Sequence, residues 1–103
     1  MADAPPVVRN DKTHRFEVTV DGHTAFAEYN LVHDALVLPH TVVPEALGGR
    51  GIGGALAEAA LTYAREQGLK VKPFCSFMAS YITRHPEWLD IVHPAFRKRL
   101  GLP

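Results

Sequence analysis

The sequence predicts an α+β fold with a mixed sheet: an antiparallel meander, then helix, strand and helix. Three observations carry this. Apolar residues alternate singly through the first 43 positions. From Ile52 onward they recur at helical spacing instead. A short apolar stretch then separates two helical segments, and a strand-helix-strand crossover of this kind makes its two strands parallel neighbours.

The elements follow in order. Residues 1 to 6 are small and proline-bearing and read as a loose tail. A short strand is expected before Asn10-Asp11. Phe16, Val18 and Val20 alternate with Arg15, Glu17 and Thr19, and Asp21-Gly22 is a hairpin signal. Ala25, Ala27, Tyr29 and Leu31 continue the alternation as one strand up to a turn at His33-Asp34. Residues 35 to 43 form the next strand, interrupted by Pro39. Proline cannot donate to a ladder, so Pro39 marks an edge or a bulge where this strand leaves a neighbour. Ile52, Ala55, Leu56, Ala59, Ala60 and Tyr63 make one helix stripe, with Gly68 as the stop. Leu69 to Pro73 is a short strand. Phe74, Phe77, Met78, Tyr81 and Ile82 repeat helical spacing until His85-Pro86.

The composition excludes several classes. The 103 residues suffice for a single domain, 1–103. Eleven basic and eleven acidic residues balance to zero, whereas a protein working mainly on nucleic-acid phosphates is normally basic. The single cysteine cannot form an internal disulfide. No apolar run is long enough to span a membrane. The first residues lack the pattern of a signal peptide, so the cytosol is the expected location.

The segment Gly48-Gly49-Arg50-Gly51-Ile52-Gly53-Gly54 is the sharpest chemical feature. It follows a strand and opens the long helix. Glycines let backbone N–H groups approach a ligand closely, and a helix N-terminus adds unpaired donors and a positive dipole end. That combination suits phosphate or pyrophosphate, and Arg50 adds a positive charge. The bland alternative is a flexible turn, but glycine costs a helix about 1 kcal/mol relative to alanine. Residues 49 to 54 formally match the dinucleotide fingerprint, yet the preceding elements are antiparallel. The next strand, Val71-Lys72-Pro73, also lacks the acidic residue that would meet a ribose. No Gly-Lys-Ser/Thr is present for a Walker A loop.

The stretch Val42 to Leu56 resembles the acetyl-CoA signature of the GCN5-related N-acetyltransferases, the GNAT family. Arg50, Gly53 and Ala55 meet its Arg/Gln-x-x-Gly-x-Gly/Ala pattern. The chain is similar to the compact single-domain members of the YjdJ type. Pro73-Phe74-Cys75 and Tyr81 to Glu87 look like that subgroup's second signature, and the resemblance covers about residues 8 to 92.

The resemblance implies a GNAT-like mixed sheet with splayed central strands and transfer from acetyl-CoA to an amine on a small molecule or polypeptide. It implies that Arg50, Gly51, Ile52, Gly53, Gly54 and Ala55 hold the coenzyme A pyrophosphate, the amides of 51 to 55 donating. Val42 and Val43 would offer backbone groups to the pantetheine arm and the thioester. No nucleic acid or membrane partner is implied. Larger relatives often carry a tyrosine acid on the second helix; spacing puts Thr83 there, and Tyr81 reads as a packed aromatic. Cys75 sits near a helix N-terminus, where a thiolate is stabilised. It is a candidate base, acyl carrier or buried small residue. His40 is a candidate base by its ordinary pKa. By strand parity it shares a face with Leu36, Leu38 and Val42, which also allows a satisfied inward histidine. The other histidines lack metal-ligand spacing, and Phe96-Arg97-Lys98-Arg99 reads as a solvated tail. A rival from another class is a coenzyme A or acyl-CoA binding module without turnover. A second is an interaction domain that kept the fold and lost the ligand.

Overall fold

The computed structural model describes residues 6–101. Of the expected tail, residues 1–5 lie outside the described residues, and Pro6 is exposed. Strands β1 (Val8–Asn10), β2 (Arg15–Val20) and β3 (His23–Glu28) form an antiparallel meander. Its tight turn is Asp21-Gly22, both at positive φ (51° and 80°), as the two-residue hairpin of this handedness requires. Phe16, Val18, Ala25, Ala27 and Tyr29 are buried on one face.

The expected single strand through Leu31 is instead two. β4 (Asn30–Val32) follows β3 but pairs with β5 (Ala35–Val37) in a second sheet. The alternation slips after Tyr29, and Leu31 is exposed. The strand expected over 35 to 43 divides in the same way. β5 stays in the second sheet, while β6 (Thr41–Val42) joins β3 in the first. One bulge explains both breaks. Between the Asn30–Val37 pair and the bond from the Glu28 amide to the His40 carbonyl (2.8 Å), Tyr29 alone faces Leu38 and Pro39. An extra residue on one strand bends it and raises the local twist.

Helix α1 (Ile52–Glu66) ends where Gly68 predicts. The Gly68 amide donates to Arg65 and the Leu69 amide to Ala64, which satisfies the last carbonyls. Its buried face is wider than the expected stripe. Ala57, Leu61 and Ala64 are fully buried, while Ala55, Ala59 and Tyr63 are only partly so. The reason is that α1 is covered on both flanks, by β2, β3 and β7 (Lys70–Lys72) and by α2 (Ser76–Arg84).

β7 pairs in parallel with β5, as the crossover requires. Helix α2 starts at Ser76, so Phe74 lies outside it and is 55% exposed. His85 caps its C-terminal end. The C-terminal segment is more than a solvated tail. A 3-10 segment, Pro86–Ile91, leads to Val92, which bridges Val71, and α3 (Pro94–Arg97) buries Phe96 edge-on against Phe74 at 4.8 Å. Of Phe96 to Arg99, the four residues expected to be a solvated tail, Lys98 and Arg99 are the exposed ones. No helix among the described residues is long and apolar enough to cross a membrane.

Candidate active site

The bulge opens a V between the two sheets. β5 and β7 pair through Val37 and Lys72, and one further bond joins the Leu38 amide to the Lys72 carbonyl (3.1 Å). Beyond Pro39, β6 turns away to β3. The Cys75 amide donates to the Leu38 carbonyl at 3.0 Å, so Cys75 sits at the apex.

One wall is β6. The Glu28–His40 bond continues the β3–β6 register, so Val42 faces Phe26 as a hydrogen-bonded pair. Val42 therefore turns its own amide and carbonyl to β3. Thr41 and, one residue beyond the strand, Val43 turn theirs toward the open edge. Of the two residues expected to offer backbone groups, the register leaves that task to Val43, with Thr41 in place of Val42.

The N-terminus of α1 follows β6 through the 3-10 turn Glu45–Leu47 and packs against α2. Gly51 is its N-cap in the left-handed region (φ 74°), a conformation that costs a residue with Cβ, and no side chain caps the helix. The Ala55 amide already donates to the Gly51 carbonyl (3.1 Å). The donors without an intrahelical partner are therefore those of Gly51, Ile52, Gly53 and Gly54, four of the five expected over 51 to 55. Gly53 has a further role. A Cβ there would lie 2.8 Å from the tip of the Phe77 ring, so its bareness is what lets α2 pack against α1. The Arg50 guanidinium stands 3.5 Å from Asp21, both well exposed. Surface pairs of this kind contribute about 0–1 kcal/mol, so the pairing is weak competition for a bound phosphate.

At the apex, the half-buried Cys75 thiol donates to the Thr41 hydroxyl at 3.5 Å. Burial pushes this thiol up. The Thr41 hydroxyl and the amides of Met78, Phe77 and Thr41 outweigh it, and the thiol lies below its ordinary value. His40 is exposed, so the inward reading by parity with Leu36 and Leu38 fails. The bulge has shifted the phase, and alternation along β6 places His40 and Val42 on the face opposite Thr41. The structure thus does not bring His40 and Cys75 together. Tyr81 is buried and stacks on His85 at 4.0 Å. Burial raises its phenol, with Glu58 and Glu87 adding to the rise. The Thr83 hydroxyl is spent on its own helix, donating to the Ser80 carbonyl at 2.9 Å. Thr41 and Phe77 were not among the expected site residues. Thr41 becomes legible only once the phase slip at Pro39 is allowed for.

The fold has known counterparts. A family model described as GCN5-related N-acetyl-transferase matches residues 15–91. Protein NATD1 of Gallus gallus is 35% identical over 96 residues, covering 87% of each chain. Its Homo sapiens counterpart is also 35% identical over 96 residues, covering 87% of this chain and 85% of its own. The solution structure of a GCN5-like putative N-acetyltransferase from Staphylococcus aureus superposes with a TM-score of 0.70 at 26% identity, covering 87% of this chain and 89% of its own. The chain belongs to the GCN5-related N-acetyltransferase family.

Proposed function

We propose that the chain transfers an acetyl group from acetyl-CoA directly to an amine, on a small molecule or a polypeptide, at the apex of the V. The carrying observation is the opening itself. Strand pairing stops at Leu38, an unpaired strand edge begins at Thr41, and the helix that follows this strand in the chain opens with unpaired amides. These features fit the three parts of coenzyme A. The Ile52, Gly53 and Gly54 amides and the dipole end of α1 hold the pyrophosphate, with Arg50 free to turn to it. The Thr41 and Val43 edge holds the amide-bearing pantetheine arm. The co-substrate supplies an acetyl thioester, whose C–S bond breaks as the acceptor's N–C bond forms, the electron pair leaving on the coenzyme A sulfur as a thiolate. Cys75 then holds the proton that the acceptor nitrogen gives up, because its sulfur is at the apex and its thiolate form is stabilised there. His40, exposed and on the other face, takes that proton only if the acceptor approaches from the open side of the sheet.

The described residues enclose no pocket, at the V or elsewhere. This favours, as a second reading, a module that binds coenzyme A or acyl-CoA without turnover. Two variants at Gly51 test the binding half. A Cβ there meets nothing within 4 Å, and Asp and Asn tolerate its left-handed backbone best. Gly51→Asp places a negative charge at the pyrophosphate and should weaken coenzyme A roughly tenfold or more in calorimetry. Gly51→Asn, with the same shape and no charge, should keep most of the affinity. Equal affinities for the two variants would contradict the assignment. Mass detection of acetylated amine then separates transfer from binding alone.

A further inference from the structure

We infer that Thr41 is the positioning residue of the transfer site: its hydroxyl holds the Cys75 sulfur in both protonation states across the V. The inference rests on the reading of the V as a transfer site, and goes beyond it by naming a residue outside the glycine signature.

The geometry is specific. Thr41 is on β6 and Cys75 precedes α2, so their contact at 3.5 Å ties together the two walls that the bulge separates. The pairing register turns the Thr41 backbone to the open edge. Its neighbour across the sheet, Ala27, is fully buried, so the Thr41 side chain lies on the helix-covered face. A threonine hydroxyl both accepts and donates. With Cys75 protonated, the thiol donates to Thr41 Oγ1. With Cys75 ionised, the hydroxyl rotates and donates to the sulfur. A proton arriving at Sγ therefore never leaves the sulfur unpartnered, and no other side chain has to move. Among the described residues, the groups acting on the sulfur from β6 and α2 are the Thr41 hydroxyl and amide and the amides of Phe77 and Met78. None is a charged side chain, so Thr41 is the side chain whose removal tests the arrangement.

The experiment is iodoacetamide alkylation of the folded full chain, followed by intact mass from mildly acidic to alkaline pH. Cys75 is the single cysteine, so the mass reads that sulfur alone. The wild-type profile should rise at lower pH than that of a free thiol. Thr41→Val, nearly the same shape without the hydroxyl, should move the profile up by about one pH unit, or roughly tenfold slower alkylation at neutral pH. Thr41→Ser should restore the wild-type profile. A Thr41→Val profile that matches wild type would overturn the inference. So would a Thr41→Ser profile displaced as far as that of valine, because the methyl group would then be the actor. If the valine variant folds poorly, Thr41→Ala takes its place, and an alanine profile matching wild type and serine would equally overturn the inference. Calorimetry of the wild type with coenzyme A is run alongside. A failure to bind coenzyme A would end the transfer reading, whereas the alkylation profiles alone decide whether Thr41 holds the sulfur.

Discussion

Two adjacent glycines in the signature do different work, and a side chain at each distinguishes them. At Gly54 a Cβ would sit 3.8 Å from Tyr81, an ordinary contact. Gly54→Ala should therefore gain about 0.5–1 kcal/mol from helix propensity. At Gly53 the same methyl meets Phe77 at 2.8 Å. Gly53→Ala should lose roughly 1–3 kcal/mol by overpacking, and adding Phe77→Leu should recover part of it. Denaturant unfolding of the three variants checks the ordering. It also shows why a bulky residue at Gly53 is a poor probe of phosphate: it displaces α2 before it reaches a ligand. Cys75 supplies a pH test at the same scale. Its folded-state pKa is lowered, so the unfolded chain binds more protons in the window between the folded and unfolded values. Stability from this group is present above the unfolded pKa and lost as pH falls through the folded one. The melting temperature of wild type relative to Cys75→Ala should therefore rise with pH across that window. A difference that stays flat with pH would count against a stabilised thiolate.

At the scale of elements, the C-terminal segment is the sharpest test. Phe96 is buried and braces Phe74, whereas Phe74 is 55% exposed. Phe96→Ala should cost roughly 3 kcal/mol and Phe74→Ala well under half of that. Equal small effects would restore the picture of a solvated tail. That segment was illegible in the sequence because its run of basic residues hides a single buried ring and a backbone bridge from Val92 to Val71. The hairpins were legible, since Asp21-Gly22 and His33-Asp34 carry their turn chemistry locally. The division of two strands between two sheets was only half legible. Pro39 announced a break, but a bulge is a relation between two strands, and Tyr29 facing two residues has no signal of its own. The same slip misplaced His40, since parity counted from Leu36 fails once an extra residue intervenes. The glycine loop was readable as an uncapped helix N-terminus. Its packing role at Gly53 was not, because it depends on where Phe77 arrives from another helix.

For the whole molecule, the bulge at Leu38-Pro39 is what opens the V with Cys75 at its apex, the opening proposed to take coenzyme A. The chain carries no net charge, so attraction for an anionic ligand must come from the local amides and Arg50 rather than from a global field. The affinity should accordingly fall only gently with added salt. An amide-resolved NMR titration of the chain with coenzyme A probes the cleft residue by residue. The largest shifts should fall on Ile52, Gly53 and Gly54, on Thr41 and Val43, and on Cys75, with little change along β1 and β2. Shifts confined to another surface, or none at saturating ligand, would contradict a cofactor cleft at this bulge.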